Sequence, residues 1–137
     1  MRCFSGKDQI AVSKKMEKMV EGITFANGAE YHFSFNPVYN VVNNNPDLID
    51  EIENIAIDCF GEDSIEFMQP IMGGEDFSAY QQKIPGAFIF IGAKNEEKGI
   101  NYPHHHPKFD IDEKSLKMGL DLFVKYTLAK CGSLIPN

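Results

Sequence analysis

Residues 87–91, Ala-Phe-Ile-Phe-Ile, place five apolar side chains in succession with no polar position among them. Successive side chains of a strand point to opposite faces, so a strand with this content is apolar on both. Central and parallel strands, covered on both sides, carry runs of this kind. The segment therefore predicts a covered α/β sheet. It is too short to span a bilayer, which takes about 20 apolar residues as a helix, so no membrane is expected as a partner.

The flanking segments supply helices and further strand candidates. Ser5 followed by Asp8 is a variant of the capping box, and Ile10, Met16, Met19, Val20 and Ile23 recur at helical spacing until Asn27-Gly28. A helix over about 7–25 is expected. Ala29, Tyr31, Phe33 and Phe35 alternate with Glu30, His32 and Ser34, the period of a half-buried strand, and Pro37 ends it. After a connector at 37–45, Asn45-Pro46 offers an N-cap and a proline at the first helical position. The helix that follows carries Leu48, Ile49, Ile52, Ile55, Ala56 and Cys59 as its apolar stripe and stops at Gly61. Residues 65–68 are a short strand candidate, and Gly73-Gly74-Glu75-Asp76 opens a third, shorter helix that Pro85-Gly86 closes. Asp112 caps a last helix through Leu116, Leu120, Phe123, Val124, Thr127 and Leu128, with Gly132 as its stop. A composition break near Pro37 marks a domain boundary.

Composition narrows the function classes. With 137 residues, 43% hydrophobic and 24% charged, the chain is long enough to bury a core and too apolar for global disorder. Thirteen basic against 20 acidic residues leave a net charge of −7, which repels a phosphate backbone, so nucleic acid is not an expected partner. Cys3, Cys59 and Cys131 fit neither a disulfide framework nor a four-thiolate zinc site. The N-terminus shows no apolar run of signal-peptide length, and a soluble, cytoplasmic chain is expected. G-x-S-x-G, P-loop and G-x-G-x-x-G motifs do not occur.

Two clusters could carry chemistry. His104, His105 and His106 lie between Pro103 and Pro107. Imidazole is the commonest zinc ligand, and the prolines stiffen the loop that presents it. Adjacent extended side chains point apart, so one of the three facing a site is more natural than all of them. On spacing alone, a solvated polar loop is the simpler account. Glu75 and Asp76 follow a glycine pair at a helix start, where carboxylates favour the helix dipole. That explains Asp76 and leaves Glu75 open between the same role and an active-site role.

Taken in order, M-G-G-E-D-F at 72–77, P-G-A-F-I-F-I-G-A-K-N at 85–95 and Y-P-H-H-H-P-K-F-D at 102–110 resemble the C-terminal part of the metal-dependent amidohydrolases. That family includes aminoacylase-like N-acyl amino acid amidohydrolases, hippurate hydrolase, N-acetyldiaminopimelate deacetylase and indole-acetyl amino acid hydrolases. Met1-Arg-Cys-Phe4 is similar, less sharply, to the end of a G-T-V-R-T-F strand in the family. The likeness covers the whole chain, but only the final third or so of a full-length enzyme.

The resemblance implies that His105 is a metal ligand, with His104 and His106 at variable positions, and that Glu75 lines the active site. It implies a pair of divalent ions per full-length site, zinc first, with manganese, cobalt or nickel as alternatives. These would polarise the scissile carbonyl of an N-acyl amino acid or small peptide and activate water. The implied fold is α/β: residues 37–137 as the C-terminal portion of a catalytic domain with helices packed on a mixed sheet, and 1–36 as a piece of an α+β lid that pairs subunits in a homodimer. The family's upstream Cys or His motif, its Glu-Glu pair and its further His have no counterpart in this sequence. A fragment, a split gene product or a remnant, inactive alone, is therefore expected. The alternative is a non-catalytic binding or assembly module built on 1–36. A small metal-binding protein using the histidine loop alone is a third reading, and it requires His104 or His106 as additional ligands.

Overall fold

The computed structural model describes residues 1–132. Helix α1, Gly6–Ala26, begins as the capping box variant requires: Ser5 Oγ accepts the Asp8 N–H at 3.0 Å and donates to Asp8 Oδ2 at 2.7 Å. It ends in a Schellman arrangement, with the Ala29 N–H on the Thr24 carbonyl at 2.9 Å and the Gly28 N–H on the Phe25 carbonyl at 3.2 Å. Gly28 stands at φ 63°, the left-handed value such a stop needs. Helix α2, Pro46–Phe60, starts at the proline and stops before Gly61, whose N–H still reaches the Ile57 carbonyl at 2.8 Å. A 3₁₀ turn, Glu62–Ser64, follows. Helix α3 is the single turn Ser78–Gln81, and α4 runs Lys114–Gly132.

The chain divides into two units, one formed by Met1–Asn45 with Met68–Phe88, the other by Pro46–Phe67 with the chain from Ile89 onward. In the first, Asn43–Asn45 are joined to the turn after α3. The Asn45 N–H donates to the Gly86 carbonyl at 3.0 Å, and Gln81 accepts the Asn43 N–H at 3.0 Å through Oε1 while its Nε2 donates to Gly86. Phe77 packs between Tyr80 and Phe88, with ring centroids 6.0 and 5.6 Å away. In the second unit α2 and α4 pack together, each burying one apolar residue, Ala56 and Leu122, and Lys130 pairs with Glu51 across them. Leu116, Leu120, Phe123 and Leu128 remain exposed on α4.

The expected sheet is not formed. Among the described residues there is no β-strand, only an isolated antiparallel bridge between Asn95 and Ile100. The α/β class, the mixed sheet with helices packed on it, and the α+β lid are thereby overturned: the regular structure is helical. Residues 29–36, 65–68 and 87–91 have the side-chain content of strands but no ladder. Apolar content and period two prepare a segment for pairing, but a strand exists only where a second backbone runs about 4.8 Å away to take its N–H and C=O groups. No described segment does this for 87–91. At Phe88 the side-chain amide of Asn44 takes that place, accepting the N–H at 2.7 Å and donating to the carbonyl at 2.8 Å. Nor is the run covered on both faces, since Ile89, Phe90 and Ile91 are 39%, 55% and 37% exposed.

Candidate functional site

The histidine loop is shaped by two consecutive turns. The His106 N–H bonds to the Pro103 carbonyl at 3.2 Å, and the Phe109 N–H bonds to the His106 carbonyl at 2.9 Å. His105 is the third residue of the first turn and has φ 68°, the left-handed value that a type II turn places there. Glycine is the usual occupant, and histidine is one of the few other residues enriched in this region. Pro107 stands second in the next turn, where its fixed φ fits.

This backbone treats the imidazoles differently. His106 stacks on Tyr102 with ring centroids 4.2 Å apart and planes 12° from parallel, and its Nδ1 accepts the Lys108 N–H at 3.0 Å. His104 meets the Phe109 ring edge-on at 4.9 Å. His105 is exposed and, among the described residues, has no hydrogen bond, ion pair or ring contact. The sequence left open which of the three faces outward; the loop's own contacts engage the other two.

Glu75 lies in the first unit. Its Oε1 accepts the Phe77 N–H at 3.1 Å and its carbonyl accepts the Ser78 hydroxyl at 2.8 Å, so the carboxylate supports the start of α3. Asp76 is exposed and contributes its carbonyl to the Ala79 N–H. Of the glycine pair before them, Gly74 is closely approached and Gly73 stands open: a β-carbon on Gly74 would lie 3.4 Å from the Tyr39 ring and 3.5 Å from the Arg2 guanidinium. Glu75 and His105 belong to different units.

Asp112 is the one charged residue buried among the described residues, at 7% exposure. It caps α4 as expected, Oδ1 accepting the Lys114 N–H at 3.2 Å. It also receives the Lys98 ammonium at 2.8 Å on Oδ1 and the Asn95 amide on Oδ2. These donors, Lys98 first, then Asn95 and the Lys114 N–H, hold its carboxyl well below the usual carboxylate range against the opposing effect of burial. In the sequence Asn95 and Lys98 are part of an ordinary polar loop. Nothing in local pattern pairs them with a residue 14 or 17 positions away.

A divalent ion does not find a complete site in these residues. Among the described residues no group of three or more His, Cys, Asp or Glu side chains could hold one, whereas catalytic zinc takes about three protein ligands. No described helix is long and apolar enough to cross a membrane.

Comparison with known proteins bears on residues 5–129, which match the profile of a family described as peptidase family M20/M25/M40. Thermostable carboxypeptidase 2 of Saccharolobus solfataricus is 38% identical over 76% of this chain and 26% of its own length. An IAA-amino acid hydrolase of Arabidopsis thaliana, ILR1-like 6, is 32% identical over 86% of this chain and 26% of its own. The N-acetylcysteine deacetylase of Bacillus subtilis is 31% identical over 91% of this chain and 31% of its own. The chain thus spans between a quarter and a third of the length of these relatives. No solved structure matches it.

Proposed function

Because this chain belongs to peptidase family M20/M25/M40, we propose that it carries one part of the active site of a metal-dependent hydrolase acting on the amide bond of N-acyl amino acids or small peptides. The three relatives are named a carboxypeptidase, an IAA-amino acid hydrolase and an N-acetylcysteine deacetylase, and an amide to an amino acid is common to those names. The observation that carries the reading is the Pro103–His106 turn. It engages His104 and His106 within the loop and holds out His105, the histidine placed on the family pattern.

In this reading His105 supplies a single ligand to a divalent ion, zinc before manganese, cobalt or nickel. The remaining ligands belong to the part of the family fold that the chain does not span. Hydrolysis then requires that part, and the chain alone is inactive. Glu75, in the Gly73–Phe77 turn, takes its active-site role in this reading from the resemblance to the family alone. Residues 1–36, with helix α1 in place of the expected α+β lid piece, act as the segment through which two copies pair. Val12, Met16, Met19 and Ile23 recur every three to four residues along α1 and are all exposed, the seam a helix offers to another helix. The same seam supports the second reading, a non-catalytic assembly module.

The test is His105→Ala in an enzyme assembled from this chain and the N-terminal part of a relative. Hydrolysis of N-acetyl and N-benzoyl amino acids is expected to be abolished. Turnover close to that of the unsubstituted assembly would overturn the assignment.

A further inference from the structure

The segment that presents His105 leaves one short stretch of chain and returns to it. Residues 93–98 lie at its start and Asp112 at its end, and three contacts join the two. The Asp112 N–H donates to the Ala93 carbonyl at 2.8 Å, Asn95 Nδ2 donates to Oδ2, and Lys98 Nζ stands 2.8 Å from Oδ1 as both hydrogen bond and ion pair. Between these points the chain makes its Asn95–Ile100 bridge and then the two turns that set the histidines. The segment is an excursion of the chain whose ends are held together.

Capping α4 accounts for little of this. A helix start asks one side-chain oxygen to accept one N–H, which a serine does as well as an aspartate. Here the second oxygen and the negative charge go to Asn95 and Lys98, 17 and 14 positions away in the chain and outside the helix. Half of Lys98 remains exposed, at 52% for its side chain, while that of Asp112 is 9% exposed. A carboxylate is thus buried for partners that capping does not need, and burial of a charge is tolerated only when it is paired and hydrogen-bonded.

We propose, building on the ligand role given to His105, that Asp112 together with Asn95 and Lys98 is the positioning device for that imidazole. The three tie the ends of the 95–112 loop, and the tied ends keep the Pro103–His106 turn in the single backbone state that points His105 outward. Asp112 touches neither ion nor substrate; it acts through the loop.

The substitution that separates this role from capping is Asp112→Ser, in which a hydroxyl keeps the acceptor for the Lys114 N–H but cannot serve both Asn95 and Lys98. Asn95→Ala and Lys98→Met, both outside the helix, attack the same tie without touching the cap. Two readouts on the chain itself need no activity. In all three variants amide exchange across 101–111 is expected to rise about tenfold or more while exchange in the middle of α4 stays as it was. The His105 imidazole resonance, identified by its absence in His105→Gln, is expected to broaden or split. Unchanged loop exchange and an unchanged His105 resonance in Asn95→Ala and Lys98→Met would overturn the proposal and leave Asp112 as a cap alone. If the resonance responds as expected but His105→Gln leaves the assembled enzyme fully active, the tie stands and the ligand role of His105 falls.

Discussion

Asn44→Ala removes the amide that serves Phe88 in place of a neighbouring strand. The side chain accepts the Phe88 N–H at 2.7 Å and donates to its carbonyl at 2.8 Å, both in partly buried surroundings. A neutral hydrogen bond of good geometry contributes about 1 kcal/mol net, so losing the pair costs about 2 kcal/mol. The further contact from Gln81 Nε2, at 3.3 Å, is long for an N–H···O bond and adds little. With a urea dependence of about 1.5 kcal/mol per M, the unfolding midpoint should fall by about 1.3 M. Far-ultraviolet circular dichroism follows the loss, because the regular structure is helical. Asn43→Ala is the matched control. Among the described residues only the backbone N–H of Asn43 is engaged, on Gln81 Oε1, so its truncation should stay within about 0.5 kcal/mol of the parent. A loss in Asn44→Ala no larger than in Asn43→Ala would refute the assignment of Asn44 as the partner of the 87–91 run.

Acid stability gives a second expectation. The folded carboxyl of Asp112 is held below its ordinary value of 3.8, so its contribution to stability is complete above that pH and fades as pH falls toward the folded value. The thermal midpoint should therefore drop below about pH 4 in the parent chain, and part of that drop should be missing in Asp112→Asn; identical acid profiles would contradict the pairing. At His105, substitution by glycine and by alanine removes the imidazole equally but differs in backbone cost. A β-carbon at φ 68° is strained by about 1–2 kcal/mol, and the extra unfolded freedom of glycine returns about 0.5–1, so His105→Gly should be the more stable by about 0.5–1 kcal/mol. Alanine equal to or better than glycine in urea titrations would argue against the left-handed turn.

What the sequence made legible was local. Ser5 with Asp8, Gly28, Pro46, Gly61 and Asp112 each act on groups within a few residues, and the helices begin and end where these residues place them. The strands were misread for the opposite reason. The content of 29–36 and 87–91 is that of strands, but pairing depends on another backbone, and local pattern does not show whether one is present. In its place stands Asn44, 44 positions from Phe88, in a run that read as a plain connector. The site divides in the same way. The ordered motifs single out His105, and the loop's contacts engage His104 and His106 while His105 is exposed. The tie of Asn95 and Lys98 to Asp112 joins residues whose local contexts are ordinary polar loop and ordinary cap. Only the closed loop brings them together.

The decisive measurement is hydrolysis of N-acetyl and N-benzoyl amino acids with zinc or manganese, by the purified chain alone and mixed with the N-terminal part of a relative. The chain alone is expected to be silent, and activity is expected on mixing. Activity from the chain alone would contradict the claim that it holds one part of the site, and silence in both would contradict the claim that the site is catalytic.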